Sequence, residues 1–592
     1  MNTRARVVLA GFALALAGQG GAFAADPLRI TRPVQATKFD VDPARTYLTP
    51  WFAADPKDKL RVAGAFIESR TKRCGFMRST DGGTTWTRME ASPAPPSYPF
   101  CLMTNSHTFQ GKVEWGRDGA LYYALDGWDT QDAPRRSVFV ARSDDFGESW
   151  TPVAVADARG TEGADQHDNR PLSGFAVDRR SGGQDTVYVT WRRQFPGQSA
   201  PNAKAFGAMV AVSTDGGRTF GGAVDLAPTV FGDQAKRQEA LTTATTVAAP
   251  ATTTTTTPLV PEQGPAAGSP AGAQQPAATT TTVPANSRAA NRTDVNNFGG
   301  SNPVVALDHK GTAYVAWVSR YANITPNPSS GHFLSKSTDR GKTWTTTQIT
   351  PFSRENINNF GGYMLRWSPE GGGDGSLHFV YEGSKRPEIA NEADIFYRRS
   401  TDGGRTWSES RLINDDDPSQ VFFSGLPHLD VASNGRLDAV WFDTRDDPGL
   451  SVNDVYYSFS NDNGQTWSKN QRITDRSINR EVGPFAGNFD LNGPPGLTST
   501  DAYALIGWDD TRFAEPLTDT QDIFAAAVQF REVGTTNRAA AYILPGVIGL
   551  LAVGLVLLAA SLLFRSRAPS GDDDVTAGTA GTGSRASSRT ST

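Results

Sequence analysis

Cysteine, histidine and methionine are scarce in this chain of 592 residues, which has two, six and six of them. Cys74 and Cys101 do not have the Cys/His spacing of a zinc site, so a zinc-stabilised domain is not expected. In an oxidising compartment these two cysteines could form one disulfide, and two unpaired thiols are the alternative. No cofactor is predicted from the sequence.

An excess of positive charge is also missing. The chain has 57 Lys and Arg residues against 62 Asp and Glu, which gives a formal net charge of −5. No long Lys/Arg stripe is present to neutralise phosphate groups, so nucleic acid is not expected as a partner.

Glycine, proline and tryptophan are abundant, with 59, 37 and 13 residues. This composition is typical of a turn-rich all-β protein rather than a helical one.

The N-terminus has the pattern of a cleavable signal peptide over residues 1–24. Arg4 and Arg6 precede an apolar run from Val7 to Ala17, and "AFA" follows at 22–24. This order of a basic, an apolar and a small-residue segment predicts secretion.

An uncharged apolar stretch occupies residues 540–564. About 20 such residues suffice to cross a bilayer, so it predicts one transmembrane helix, with a buried core helix as the alternative. Arg565 and Arg567 follow directly, which places a disordered tail, 565–592, in the cytoplasm and everything before the helix outside the cell. The expected location is therefore the cell membrane, with a single pass.

One pattern of eight residues, written "STDGGRTW" at 400–407, occurs six times. The interval between the third and fourth copies is double the others because residues 225–295 intervene. That segment is rich in Thr, Pro and Ala and predicts a disordered loop within a domain that spans residues 26–535. The six copies contain the aspartates Asp81, Asp145, Asp215, Asp339, Asp402 and Asp462.

Alternating apolar stretches before each copy predict four strands per repeat, that is, one antiparallel sheet. A seventh unit, with strands within 501–512 and 522–530, has no copy of the repeat after it. Residues 28–39 have no other partner and could supply its missing outer strand. The sequence therefore predicts an all-β propeller closed by its N-terminal segment, with seven blades, or six as the fallback.

The repeated stretch resembles the Asp-box, or BNR repeat, of the sialidase superfamily. Its aspartate accepts hydrogen bonds from its own turn, its glycine supplies a positive φ, and its tryptophan begins the next strand. A residue that recurs in every blade is structural, so the resemblance implies the fold, and the chemistry must be argued from other residues.

The predicted functional residues lie where the second strand of each blade ends. We call this side of the propeller the front face and the side with the repeated turns the back face. Loops on the front face surround the mouth of the central channel. The candidate catalytic acids are Glu68, Glu382, Asp443 and Asp509. The candidate substrate-binding residues are Arg70, Arg192, Arg320, Arg386, Arg445, Arg512, Trp441 and Trp508.

Several arginines around one mouth would suit an acidic sugar, because each guanidinium matches a carboxylate. The alternative is that Asp443 with Arg445, and Asp509 with Arg512, pair within their own loops. The run "NDDDP" at 414–418 could hold calcium, or could be a solvated acidic loop.

The resemblance implies a sialidase-like exo-acting glycoside hydrolase, in which Glu68 and Arg70 match the family's Asp-x-Arg pair with Glu in place of Asp. The family's arginine on the first strand has no counterpart in "YLTPWFAAD" (47–55). Two functions therefore remain open: a monomeric surface propeller that binds, and hydrolyses, extracellular glycans, or a non-catalytic one that binds a glycan or a surface protein.

Overall fold

The computed structural model describes residues 28–530 except for 102–110, 131–135, 158–170, 180–182, 195–205, 228–299, 320–330, 352–361, 370–374, 387–388, 390–391, 448, 450, 485–492, 516 and 519. The predicted signal peptide, transmembrane segment and cytoplasmic tail lie outside these residues, as does most of the Thr/Pro/Ala-rich insertion. Within the described part of the chain, no helix is both long and apolar enough to cross a membrane.

The structure is a seven-bladed β-propeller, as predicted, and all of its described sheets are antiparallel. The first two strands are β1 (Arg29–Ile30) and β2 (Val34–Gln35). Blade 1 contains β3 (Tyr47–Ala54), β4 (Val62–Glu68), β5 (Arg73–Ser79) and β6 (Thr87–Met89). Blade 2 contains β7 (Lys112–Trp115), β8 (Leu121–Trp128), β9 (Arg136–Ser143) and β10 (Thr151–Ala156). Blade 3 contains β11 (Leu172–Asp178), β12 (Thr186–Gln194), β13 (Phe206–Ser213) and β14 (Val224–Asp225).

The remaining blades have the same order of strands. Blade 4 contains β15 (Gly300–Leu307), β16 (Ala313–Ser319), β17 (Gly331–Ser337) and β18 (Thr345–Pro351). Blade 5 contains β19 (Tyr363–Ser368), β20 (Ser376–Gly383), β21 (Asp394–Ser400) and β22 (Arg411–Leu412). Blade 6 contains β23 (Ser424–Val431), β24 (Leu437–Asp443), β25 (Val452–Ser460), β26 (Gln471–Arg472) and β27 (Ile478–Asn479). Blade 7 contains β28 (Gly496–Ser499), β29 (Tyr503–Asp510) and β30 (Asp522–Gln529).

The N-terminal segment closes the ring, as the sequence predicts. Both β1 and β2 pair antiparallel with β30, so that Arg29 lies opposite Gln529 and Val34 lies opposite Ala525. The first strand of blade 1 contacts the first strand of blade 7 in the same way that the first strands of the other neighbouring blades contact each other. Pairing with β1 and β2 covers the outer edge of β30, which would otherwise offer unpaired backbone groups.

The hydrophobic core lies between neighbouring blades. One cluster joins blades 3 and 4 through residues such as Tyr188 and Trp317, and another joins blades 6 and 7 through Val440 and Trp508. Trp191, Trp317, Trp441 and Trp508 all lie on second strands and are essentially inaccessible to solvent. Burial of these large rings between sheets is the main apolar contribution to the closed ring.

Each repeated turn is held by the same hydrogen bonds. In the copy at 400–407 the Ser400 hydroxyl accepts from the Gly404 N–H and donates to Asp402 Oδ1, at 2.9 and 2.8 Å. Asp402 also accepts from the backbone N–H and the hydroxyl of Thr406, at 2.9 and 2.6 Å. In the copy around Asp339, the corresponding bonds from Thr343 lower the pKa of the carboxyl to about 2. The aspartates of all six copies are thus committed to their own turns.

All six turns lie on the back face and contact the preceding blade. The serine that opens each turn pairs with the first or second residue of the second strand, for example Ser79 with Val62 and Ser400 with Leu377. The second glycine has a positive φ, as at Gly404 (86°), and a Cβ there would lie 2.0 Å from Leu334 of blade 4. Only glycine can both adopt this backbone conformation and allow that contact.

Blade 3 extends further than the sequence indicates. The insertion was predicted to begin at 225, but Asp225 belongs to β14, where it pairs with Met209. Leu226 and Ala227 are buried between blades 3 and 4. The outer part of blade 3 therefore includes these two residues, and the boundary of the insertion moves beyond residue 227.

Cys74 and Cys101 form a disulfide, with their Cα atoms 5.4 Å apart. The bond links β5 to the segment that connects blades 1 and 2, and both residues are buried. It closes a loop with a sequence separation of 27 residues, which in the chain-entropy model stabilises the fold by about 3.5 kcal/mol.

Candidate functional site

The four candidate acids lie on the front face, at or next to the ends of second strands. Glu68 and Asp443 end β4 and β24, while Glu382 and Asp509 each come one residue before the end of their strands. These positions are opposite to the repeated turns, as predicted. Arg320 lies outside the described residues.

Asp443 and Arg445 form a closed network in blade 6. Asp443 is fully buried, and its Oδ2 accepts from Ser424 Oγ and Trp441 Nε1, both at 2.9 Å, and from Arg445 Nη2 at 2.7 Å. Arg445 Nη1 also donates to Asp415 at 2.7 Å. The expected alternative, pairing within the loop, is therefore what the geometry shows for this blade.

Blade 7 repeats this network, but with Asp510 rather than Asp509. Asp510 Oδ2 accepts from Trp508 Nε1 at 2.9 Å and from Arg512 Nη2 at 2.8 Å. The pairing of Asp509 with Arg512 was wrong, because successive strand residues point to opposite sides of a sheet. Asp509 instead accepts from Arg480 Nη1 at 3.0 Å and from Gln521 Nε2 at 3.2 Å.

Trp441 and Trp508, which were candidates for contact with substrate, are both buried completely. Each indole N–H is used by the aspartate two residues later in the chain. The two tryptophans therefore orient Asp443 and Asp510 from within the core.

Other candidates also have partners inside the fold. Arg386 Nε donates to Glu392 at 2.6 Å, and Arg70 pairs with Asp42. Glu68 accepts from Arg88 Nη2 at 3.2 Å.

The two remaining described candidates are held close to the backbone of their neighbours. Glu382 Oε2 accepts from the Leu426 N–H at 3.0 Å. Arg192 lies on β12, where its backbone N–H donates to the Pro171 carbonyl at 3.1 Å.

We use the name front rim for Asp443, Arg445, Asp509, Asp510 and Arg512, whose charged groups are bonded to one another or to adjacent loops.

The acidic run 414–418 does not converge on one point. Asp415 pairs with Arg445, Asp416 accepts from Asn414, and Asp417 accepts from the Ser419 N–H and hydroxyl. Within the described part of the chain, no three His, Cys, Asp or Glu side chains are grouped to hold a metal ion.

A cavity of about 510 Å³ opens on the back face, where the first strands of several blades end. We call it the back cavity. It is lined by aromatic and charged residues, chiefly Trp51, Lys57, Lys59, Glu114, Arg179, Arg366, Asp430 and Ser499. None of these residues was singled out from the sequence.

Side chains from three blades meet in the channel beneath the back cavity. The Trp51 ring stacks on His428, with centroids 4.5 Å apart, and the Lys112 ammonium lies 3.6 Å from the centroid of Trp51. The Pro495 carbonyl, 2.9 Å away, requires His428 Nδ1 to carry the proton, and no described residue forms a hydrogen bond with His428 Nε2. Burial lowers the pKa of His428 well below its usual value, so the ring is neutral.

The side-chain ammonium of Lys112 has no hydrogen bond or ion pair among the described residues. Burial, together with the charge of Arg366, lowers the pKa of Lys112 to about 7. The amine therefore changes charge near neutral pH, which is rare for lysine and common at functional sites.

The walls of the back cavity are only partly paired. Arg366 Nε lies 3.4 Å from Asp430 Oδ1, and Asp430 Oδ2 accepts from the Ser499 N–H at 2.8 Å. In the described structure the carboxyl of Glu114 and the guanidinium of Arg179 have no hydrogen bond or ion pair. Burial raises the pKa of both Glu114 and Asp430.

The sequence contained a weak signal for these residues. A first strand that lines a channel alternates between core-facing and channel-facing positions, as in "KVEW" at 112–115 and "PHLD" at 427–430. The repeats drew attention to second strands and turns instead. Trp51 and His428 are far apart in the sequence and come together only when the ring closes. A pattern within a short stretch of sequence therefore cannot predict that they are in contact.

No family model and no curated protein matches this chain. Among solved structures, it is similar to an α-L-arabinanase of Penicillium chrysogenum complexed with arabinobiose, at 13% identity and a TM-score of 0.37, over 70% of this chain and 94% of that one. It is also similar to a Hadza microbial sialidase (13%, TM-score 0.38, over 79% and 74%) and to a Trypanosoma rangeli sialidase in complex with the inhibitor DANA (10%, TM-score 0.35, over 74% and 58%). Similarity this low leaves the chemistry of the chain to be argued from its own residues.

Proposed function

We propose that the chain is a membrane-anchored, extracytoplasmic propeller that binds extracellular glycans at its front face without hydrolysing them. The observation that carries the proposal is the closed bonding of the front rim. A glycosidase needs a carboxyl group that is free to donate and accept a proton beside the scissile bond. Asp443 and Asp510 each accept from a tryptophan and an arginine, so neither has that freedom.

Tyr381, the tyrosine next to a candidate acid, does not support the tyrosine chemistry of sialidases either. Tyr381, next to Glu382, is buried, and its hydroxyl bonds to Ser410 at 2.7 Å. Burial raises the pKa of Tyr381. A nucleophilic tyrosine needs the opposite shift, or a base within reach of its hydroxyl.

The choice of a glycan as ligand rests on the resemblance of the six repeated turns to the Asp-box of the sialidase superfamily. The alternative is a non-catalytic propeller whose front face binds a surface protein. Anchoring by residues 540–564 is compatible with both, because either ligand would be presented outside the cell.

The experiment uses the purified full-length chain with fluorogenic sialosides, a panel of other glycosides and a glycan array. We expect binding to at least one class of glycan and no turnover. Turnover that disappears in the Glu68→Gln variant would overturn the non-catalytic assignment. Absence of both turnover and glycan binding would reject the glycan and favour the protein ligand.

Membrane anchoring has a separate test. The full-length chain should sediment with membranes and resist extraction by carbonate, and a chain that ends at residue 535 should be released into the medium. Release of the full-length chain by carbonate would contradict the anchor.

A further inference from the structure

The back cavity combines a suitable volume with charged groups that have few partners. Small-molecule sites typically have volumes of about 300–1,000 Å³ and contain a few placed polar groups, and this cavity has about 510 Å³. It lies on the opposite face from the front rim, so its role is independent of the function proposed above.

The mouth of the cavity carries four cationic side chains, from Lys57, Lys59, Arg179 and Arg366. Lys57 pairs with Asp118 at 3.3 Å and Lys59 with Asp501 at 3.6 Å, and both of these pairs are exposed. Such pairs contribute little and exchange readily.

The two arginines are the better anion ligands. Arg179 has no ion pair among the described residues, and Arg366 holds Asp430 through one nitrogen at 3.4 Å. A guanidinium that is not held by a bidentate carboxylate can still bind the carboxylate of a ligand in that way.

Deeper groups suit hydroxyls rather than a second charge. Ser499 Oγ is buried and has no hydrogen-bond partner among the described residues, and a buried hydroxyl without a partner costs about 1–3 kcal/mol. The Glu114 carboxyl also has no partner in the described part of the chain, and burial raises its pKa, which favours the protonated form that can donate to an oxygen. A ligand hydroxyl would satisfy one or both of these groups.

We infer that the back cavity binds a small hydroxylated carboxylate, whose carboxylate is held by Arg179 and Arg366 and whose hydroxyl reaches Ser499 or Glu114. Trp51, which lines the site, packs on the buried His428 ring and the Lys112 ammonium. Nothing in this arrangement requires the front face.

The test is calorimetric titration of the full-length chain with D-glucuronate and, in parallel, with glucose, which lacks the carboxylate. We expect glucuronate to bind at least about tenfold more tightly than glucose, since one charge-assisted contact is worth a factor of this order. Arg179→Gln should weaken glucuronate binding at least about tenfold. Arg179 is exposed, so this substitution does not disturb the core.

The matched control is Arg405→Gln, an exposed arginine on the same face that does not line the cavity. It should change the affinity for glucuronate less than about twofold. Three results would each overturn the inference: no glucuronate binding at about 20 mM, equal affinity for glucose, or unchanged affinity in Arg179→Gln.

Discussion

The two ends of the propeller use charged residues in different ways. On the front rim, Asp443 and Asp510 are fully enclosed by donors, and each arginine that holds them is shared with a second carboxylate. Around the back cavity, Glu114 and Arg179 have no ion pair in the described structure, and Arg366 has one long ion pair with Asp430 besides a hydrogen bond to the Leu365 carbonyl. The back-cavity groups are also more exposed, since the Arg366 and Asp430 side chains are 19% and 24% accessible and those of Asp443 and Asp510 are 0%.

This difference shows that clustered charges do not by themselves mark a site. Buried ion pairs with all their bonds made hold loops and blade edges together, and removing one partner is costly. Charged groups left without partners cost stability, so they persist where a ligand or a reaction needs them. The charged groups of the front rim therefore stabilise the fold, whereas those of the back cavity have few partners within the described structure.

The largest expected effect comes from Asp510→Ala. It removes the acceptor for Trp508 Nε1 and Arg512 Nη2, and leaves a nearly buried guanidinium without its inner partner. We expect a loss of about 3–5 kcal/mol in the free energy of unfolding, measured by denaturant titration. Asp475→Ala, which removes only the exposed partner of Arg512, should cost less than about 1 kcal/mol. Equal losses would show that the rim is not held from the inside.

The repeated turns lie on the same face as the back cavity, but their polar side chains are hydrogen-bonded within each turn. Gly147 has φ +87°, and a Cβ there would lie 2.1 Å from Phe76 of the preceding blade. We expect Gly147→Ala to cost about 2–4 kcal/mol through overpacking and backbone strain. Gly119 has nearly the same φ and nothing within 4 Å, so Gly119→Ala isolates the strain, at about 1 kcal/mol. A similar loss of stability in both variants would show that the contact of Gly147 with Phe76 does not contribute to it.

Lys112→Met is expected to stabilise the fold, with a dependence on pH. The folded-state pKa of Lys112 is lowered to about 7 from 10.5, so unfolding takes up a proton between these values and stability rises with pH across that window. The charges that face the amine are Arg366, which lowers the pKa, and Glu114 and Asp126, which raise it. Methionine should add about 1–2 kcal/mol at pH 6 and progressively less towards pH 10. Melting temperatures at pH 6 and pH 9 measure this, and destabilisation at pH 6 would mean that the amine has a bonding role.

Much of the fold could be predicted from the sequence because a propeller repeats itself. Six copies of one turn together with the seventh unit at 501–530 predicted seven blades, and the segment 28–39 indicated how the ring closes. Asp509 was mistaken for Asp510 because a shift of one residue along a strand changes which side chain faces a neighbour. The back cavity could not be predicted, since Trp51, Lys112, His428 and Arg366 come from four blades and meet only across the closed ring.

If the charges of the front rim stabilise the fold and those of the back cavity do not, two isosteric variants should differ in stability. Asp443→Asn and Glu114→Gln each replace a carboxylate by an amide of the same shape, and both proteins are melted beside the parent chain at pH 7. We expect the free energy of unfolding to fall by about 3 kcal/mol in Asp443→Asn and to stay unchanged or rise slightly in Glu114→Gln. An unchanged melting temperature for Asp443→Asn, or a large drop for Glu114→Gln, would contradict it.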